Sequence, residues 1–426
     1  MSNKSAIYLL FASNIISGFA QGISMIAIPW YFVEIADKPQ VFMHSYFFIT
    51  FLTLFWGLYA GTLIDRYSRK KIFILTNLIC GIIIGLISFY GFQNLHLKDF
   101  LVILVFGLTI FNYNIHYPNL YAFVQEITEK KDYGRLNSYI EVQGQATSIF
   151  AGAIAAILLT GTKNNILEIA GIKIELPFNI HAWEIYEIFL MDSITYLLVI
   201  ILFSLIKYKS LFKNEVHLGS LYLRLQQGFI YLVQNKHIFL FGVISYVLFA
   251  FTLVEIHIIL PSYVDHFLKM EGNVYASAEI YYSIGAILSG FLILKIFKNL
   301  DFVMSVILLF SLVSILLSLM TFYNLLWIFF LGNLVIGITN AGVRILRTTY
   351  LFNNVPNNLI GRTNSVFGTI NIFMRMALIS MLSLTFFQVE SNIRFAYMMG
   401  CILLLFSVIV LIKYYKYILS KSSSYF

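Results

Sequence analysis

The chain of 426 residues is 60% hydrophobic and 11% charged, against about 45–50% and about 25% in soluble domains. That balance excludes a soluble globular protein and describes an all-α polytopic membrane protein. The formal charge of +8 is distributed loop by loop and forms no nucleic-acid-binding stripe.

A membrane-crossing helix needs about 20 predominantly apolar residues. Twelve such stretches follow one another, near 6–33, 43–64, 72–93, 100–123, 138–160, 184–206, 237–260, 275–297, 302–322, 325–346, 363–387 and 395–413. They are taken as spans 1 to 12. The first begins near Ala6, has no small-residue cleavage site and is long enough to span, so it reads as a helix rather than a removable signal. Asp37-Lys38-Pro39 ends it, Asn94 to Asp99 ends the third, Pro261 the seventh, and Asn353 to Asn358 with Pro356 the tenth. Between spans 5 and 6 the long segment from Gly161 to Trp183 holds a possible hairpin, Ile166 to Leu176, turning at Ala170-Gly171. Cys80 and Cys401 both fall in apolar helices, which implies neither a disulfide framework nor a metal site.

The segment after span 2 reads Gly61-Thr62-Leu63-Ile64-Asp65-Arg66-Tyr67-Ser68-Arg69-Lys70-Lys71. So dense a charge cluster belongs where helices surface into water. Its bases mark that water as cytoplasmic. Gly61 removes a side chain one turn before Asp65, which allows another backbone to approach. Asp65 can then meet the N-terminal end of a neighbouring helix, whose free N–H groups and dipole favour a carboxylate. The order Gly-x-Leu-x-Asp-Arg-x-x-Arg-Lys resembles the loop between helices 2 and 3 of major facilitator superfamily transporters. The resemblance implies twelve helices in two six-helix pseudo-repeats, with spans 1, 4, 7 and 10 lining a central cavity and spans 2, 5, 8 and 11 as gates. Leu225 to Phe229 and Asn235-Lys236 before span 7, His116-Tyr117-Pro118, Leu190-Met191-Asp192 and Pro356 to Arg362 are similar to the macrolide-efflux-type, drug:proton antiporter branch. Two marks of that branch are missing. Leu108 to Phe111 has no Arg near the start of span 4, and Gly144 to Gly152 has no Pro in span 5.

Most Lys and Arg fall in segments that become cytoplasmic if both termini are cytoplasmic. The external side keeps Lys38, Lys98, Lys163, Lys173, Lys269 and Arg394, and Arg375 stays in the membrane. Gly134-Arg135-Leu136-Asn137-Ser138 before span 5 recurs as Gly361-Arg362-Thr363-Asn364-Ser365 before span 11, at about half a chain's offset. A motif repeated at equivalent positions marks parallel repeats. The expected domains are therefore an N-terminal bundle, 1–206, a cytoplasmic linker, 207–236, and a C-terminal bundle, 237–426. The linker carries an amphipathic helix around Leu221 to Val233.

Three groups of candidate residues follow. Gly61, Asp65, Arg66, Arg69, Lys70, Arg135 and Arg362 form a cytoplasmic latch, with Asp65 meeting the N-terminal end of span 11. Asn14, Gln21, Asn112, His116, Asn333, Asn340, Arg344 and Arg375 are polar on or beside the cavity helices, where the alternative role is interhelical hydrogen bonding. Glu255, Asp192 and His257 are proton-coupling candidates, with fixed structural pairing as the alternative. An unpaired charge at mid-membrane costs at least about 2.5–3.5 kcal/mol, so Asp192 and Arg375 should each face a partner, water or substrate. No metal site and no cofactor are expected, only a proton gradient as energy source. These features predict a monomeric secondary transporter of the inner membrane, in contact with lipid and a small-molecule substrate but not nucleic acid, exporting a hydrophobic or amphiphilic compound. The alternatives are a lipid or lysophospholipid flippase, a metabolite uptake carrier and, in another class, a membrane-embedded enzyme. Against the last, the chain has no His-Glu-x-x-His, Gly-x-Ser-x-Gly or Walker-type loop.

Overall fold

A computed structural model describes residues 3–129, 132–162, 164–208 and 221–421, leaving aside the side chains at positions 58, 62, 65, 133, 134, 137, 221, 222, 224, 357, 358 and 390. Lys163, residues 209–220 of the linker and the Asp65 carboxylate expected in the latch therefore lie outside the described residues. Twelve helices among the described residues are long and apolar enough to cross a membrane. In chain order, spans 1 to 12 are Lys4–Ile35, Pro39–Gly61, Arg69–Asn94, Asp99–Ile127, Ser138–Thr160, Ile185–Leu205, Lys236–Leu268, Gly272–Ile296, Phe302–Phe322, Leu326–Asn354, Leu359–Leu382 and Ser391–Lys421.

Local chemistry sets several of these ends. Pro39 opens the helix of span 2, where its missing N–H costs nothing. Glu184 and Glu187 form a capping box before span 6, and Asp301 accepts from the Met304 N–H at the start of span 9. Span 7 departs from expectation because Pro261 does not end it. π-helical turns at Glu255–Ile259 and Tyr263–Leu268 flank a short α-helical piece, Leu260–Ser262, that carries Pro261 in its interior, so the proline coincides with irregular turns rather than with a helix end. The helix stops instead at Lys269, which is left-handed at φ 56°. Span 10 continues to Asn354, directly before Val355-Pro356, so Arg347 is a helix residue rather than a loop base.

The described chain divides into two compact units. One comprises spans 1 to 6 with Glu271–Ile280 at the start of span 8, and the other comprises the amphipathic helix and the remaining spans. In the first unit, Gly81 and Gly85 of span 3 face Tyr196 and Ser193 of span 6, and Gly91 faces Tyr186. This small-residue seam brings backbones close enough for Ser193 to donate to the Gly81 carbonyl and Ser88 to the Tyr186 carbonyl, each at 2.7 Å. The Glu271–Ile280 segment joins this unit through Tyr275, which stacks on Trp30 at 5.4 Å, and through Ala276 beside Gly152. The hairpin between spans 5 and 6 forms as Ile166–Ile169 paired antiparallel with Ile172–Glu175. Ala170 and Gly171 both adopt positive φ, as a tight two-residue turn requires. The Ala170 N–H donates to Ser277 at 2.8 Å, which docks the hairpin on the same segment.

In the second unit spans 8 and 10 cross at reciprocal glycines. A methyl on Gly285 would lie 2.1 Å from the Leu334 carbonyl oxygen, and one on Gly337 would lie 2.0 Å from that of Tyr282. The amphipathic helix, Leu221–Gln234, presses Gly228 against the Arg362 backbone. Gly61 behaves differently from expectation. It is exposed, and a methyl built there meets nothing within 4 Å, so the anticipated close approach is not made in this conformation. A bulkier side chain forced into a packed interface typically costs about 1–3 kcal/mol. Gly337→Ala should therefore lower the melting temperature in detergent, whereas Gly61→Ala should leave it unchanged. Equal melting of Gly337→Ala and the parent would contradict the close crossing of spans 8 and 10.

Candidate functional site

Within the first unit, polar side chains of spans 1, 4 and 6 meet each other rather than open solvent. Asn14 bonds His116 Nε2 through its side-chain oxygen at 2.8 Å, and Gln21 donates to the Thr109 carbonyl at 3.2 Å. Asn112 lies 3.4 Å from the Tyr196 hydroxyl. Ser24 donates to one carboxyl oxygen of Asp192 at 2.8 Å, and the other oxygen has no hydrogen-bond partner. Ser24, Asp192 and Tyr196 are fully buried. Helical spacing explains the convergence, because Asn14, Ser17, Gln21 and Ser24 repeat at three and four residues and share one face of span 1. In the hydrocarbon region each such group needs an internal partner. The cluster is a buried polar spine with one carboxyl at its end.

The second unit holds a separate cluster. Glu255 is 1% exposed in the first π-turn of span 7 and accepts from the Tyr397 hydroxyl of span 12 at 3.1 Å. Tyr397 also packs edge-on against Tyr263, whose own hydroxyl donates to the Met320 carbonyl at 2.6 Å. His257 is also buried and lies within electrostatic reach of Arg375 on span 11. Asn340 donates to the Tyr282 hydroxyl at 2.7 Å, and Asn333 bonds back to its own helix at the Phe329 carbonyl. Arg344 is exposed. The three proton-coupling candidates are thus divided, Asp192 in one unit and Glu255 with His257 in the other.

Arg347 had not been expected in the membrane. It is 5% exposed, donates to the Ser245 carbonyl at 2.9 Å and lies 3.6 Å over the Tyr246 ring. Span 7 is interrupted at Tyr246, between Lys236–Ser245 and Val247–Val254. The guanidinium therefore bonds a carbonyl at the helix break and stacks on the adjoining ring. The signal was present in the sequence, since only Pro356 stops the helix of span 10. Tyr397 and Tyr282 gave no comparable signal, because a tyrosine in an apolar helix usually reads as packing or interface.

On the loop between spans 2 and 3 the basic residues have distinct tasks. Arg69 pairs with Glu126 at the end of span 4 at 2.8 Å, with both side chains mostly buried. Lys70 donates to the Ser204 and Ile206 carbonyls, each at 2.9 Å, and so caps the end of span 6 with positive charge. Arg66 is exposed and lies 5.8 Å over Tyr67. Arg135 pairs locally with Asp132 at 3.2 Å, and Arg362 is half-buried. Arg69 and Lys70 thus brace the ends of spans 4 and 6 within their own bundle. On the other side of the bundle Lys38 pairs with Asp99 at 2.7 Å. The hydrogen bond and then the charge of Asp99 raise the lysine above its ordinary pKa.

The sequence model described as the Major Facilitator Superfamily matches residues 10–379. The chain belongs to the major facilitator superfamily. It is accordingly a multi-pass membrane transporter of small molecules and not an enzyme. Macrolide efflux protein A of Streptococcus pyogenes is 22% identical over 301 residues, covering 70% of this chain and 67% of that protein. A bacterial homolog of the human lysosomal transporter Spinster superposes with a TM-score of 0.73 at 11% identity over all of both chains. A bacterial homologue of the iron transporter ferroportin gives 0.69 at 14% identity, over 97% of this chain and 99% of that one. For the nucleoside transporter NupG the values are 0.68 and 14%, over 96% and 99%. At these identities the structural likeness establishes the superfamily fold, two six-helix repeats, and nothing of the cargo.

The Asp192 cluster makes a specific demand on this transporter. Ser24→Ala leaves a buried carboxyl with neither oxygen bonded, a loss worth about 1–3 kcal/mol. Its melting temperature in detergent should fall. Asp192→Asn, isosteric and still able to accept from Ser24, should melt close to the parent. The reverse order would show that Asp192 is held by its charge rather than by Ser24.

Proposed function

We propose that this transporter is a proton-driven secondary exporter of a hydrophobic or amphiphilic small molecule, working by alternating access in the cytoplasmic membrane with both termini inside. The observation that carries the reading is Glu255, buried within a π-turn of span 7 and held by a tyrosine hydroxyl. A hydroxyl can donate to a carboxylate or accept from a carboxylic acid. The same bond therefore serves both protonation states, as a coupling group requires, whereas a fixed ion pair favours only the charged one. π-turns inside α-helices recur at functional sites. The export direction and the amphiphilic cargo draw support from the likeness to macrolide efflux protein A and from the charge-poor sequence around the buried clusters.

In the cycle we envisage, protonation of Glu255 changes which conformations of span 7 are accessible, and the inward proton gradient biases the exchange toward export. Asp192, buried against Ser24 in the other unit, is the second candidate for this role. In proteoliposomes with an imposed pH gradient, the parent should drive accumulation of a fluorescent amphiphile. Glu255→Gln should abolish the gradient-driven part and retain downhill exchange. Undiminished accumulation by Glu255→Gln would remove Glu255 from the coupling role. Transport by the parent that ignores the pH gradient would sink proton coupling itself.

A further inference from the structure

Two donors on span 11 have no acceptor. Asn371 is 4% exposed, and its side-chain nitrogen is buried without a hydrogen-bond partner. Arg375, one turn later, has a buried Nε in the same condition. Residues four apart share a helix face, and side chains lean toward the helix N-terminus, so the Arg375 side chain extends along the face that carries Asn371. Among the described residues Arg375 has no hydrogen bond, no carboxylate within 4 Å and no aromatic ring beneath it. His257 lies within its electrostatic reach and supplies no negative charge. Glu255, two residues before His257, accepts from Tyr397 on span 12.

Arg347 provides the contrast within the same unit. Its guanidinium is bonded to the Ser245 carbonyl and stacked on Tyr246, so its burial is compensated inside the protein. Arg394 lies over the Phe267 and Phe395 rings at 5.4 and 4.9 Å. Arg375 has no such compensation, although it lies about 10 Å of helix rise inside the Leu382 end of span 11. A cation at that depth carries a cost of at least about 2.5–3.5 kcal/mol unless it meets water or an anion. A guanidinium and a neighbouring amide N–H₂ together match the two oxygens of a carboxylate.

We propose that Arg375 and Asn371 form an anion-binding site on span 11, and that the carried amphiphile bears a carboxylate which this site recognises. The assignment rests on the amphiphile reading above and narrows it to a substrate class. A cationic amphiphile meets repulsion from Arg375, whereas a carboxylate supplies the missing acceptors. The site lies below the level of lipid headgroups, so a molecule must enter the bundle to reach it.

The test uses the full-length transporter in a neutral detergent and three dyes sharing one fluorophore: dansylglycine, dansylamide and dansylcadaverine, which are anionic, neutral and cationic. The parent should bind dansylglycine about ten-fold or more tighter than dansylcadaverine, a ratio equivalent to one charge-assisted contact. Arg375→Gln should erase that preference, Arg375→Lys should keep part of it, and Asn371→Leu should weaken the acid alone. Thermal melts run alongside distinguish a site from a strut. Removing an uncompensated cation should leave the melting temperature of Arg375→Gln at or above the parent's, while Arg347→Gln should lower it. Equal affinity for acid and amine in the parent overturns the anion site, as does a preference that survives Arg375→Gln or a melting loss in Arg375→Gln as large as that of Arg347→Gln. If the dyes still cross proteoliposomes in any of those cases, the export reading stands without the anion site. If none of the three binds, the amphiphile reading falls with it.

Discussion

Lipid hydrocarbon offers no hydrogen-bond partner, and every polar group placed in it must find one inside the protein. The helices meet this demand for the backbone. Side chains meet it in two ways here. Some bond back to their own helix, as Thr109 does to Val105, Asn114 to Ile110, Asn77 to Phe73 and Asn333 to Phe329. Others cross to a neighbouring helix, as in the pairs Asn14–His116, Gln21–Thr109, Ser24–Asp192, Glu255–Tyr397 and Asn340–Tyr282. The first kind leaves helix positions free to adjust, while the second fixes which faces of which spans meet. An ordinary polar residue thus becomes glue. A polar residue without a partner becomes informative.

Close backbone approach is the second consequence of the same solvent. Lipid does not drive apolar helices together, so association relies on packing. Glycine provides it where Gly81, Gly85 and Gly91 seat span 3 against span 6, and where Gly285 and Gly337 seat spans 8 and 10 on each other. These seams bring carbonyls within reach of Ser88 and Ser193, so packing and hydrogen bonding reinforce one another. Span 7 differs in kind from these regular helices. It contains a break at Tyr246, two π-turns and Pro261 within one membrane crossing. Arg347 satisfies a carbonyl at the break, and Glu255 occupies the first π-turn. Irregularity and ionisable chemistry coincide on one helix of the second unit. That coincidence gives a proton a local structural element on which to act.

The loop between spans 2 and 3 shows how one cluster of charge serves separate purposes. Arg69 and Lys70 tie down the ends of spans 4 and 6 within their own bundle, one by an ion pair and the other by capping carbonyls. Arg66 remains exposed beside Tyr67. A partly buried pair such as Arg69–Glu126 orders a helix end more firmly than the fully exposed pairs that contribute little at surfaces. The amphipathic helix acts on the other unit in the same sense, with Gly228 set directly on the backbone at the start of span 11.

Composition and periodicity determined the membrane class and the twelve crossings, turn residues the hairpin at Ala170-Gly171, and the resemblance carried by the Gly61 to Lys71 motif the superfamily, because each is a local or summed property of the chain. The break at Asp37-Lys38-Pro39 was legible for the same reason: its chemistry acts within one turn. Partnership was not legible. Whether Asn14 faced water or His116, whether Pro261 ended span 7, and whether Gly61 touched a neighbour depended on residues tens to hundreds of positions away. Only the tertiary structure placed Arg347 in a helix, as a second arginine to be accounted for alongside Arg375 of span 11, and gave the two different surroundings. The first is given a carbonyl and a ring by span 7, while the second is left beside Asn371 with donors unanswered. The cost of a charge in hydrocarbon is known from the residue type, but what offsets it is decided by whatever the fold brings within 4 Å.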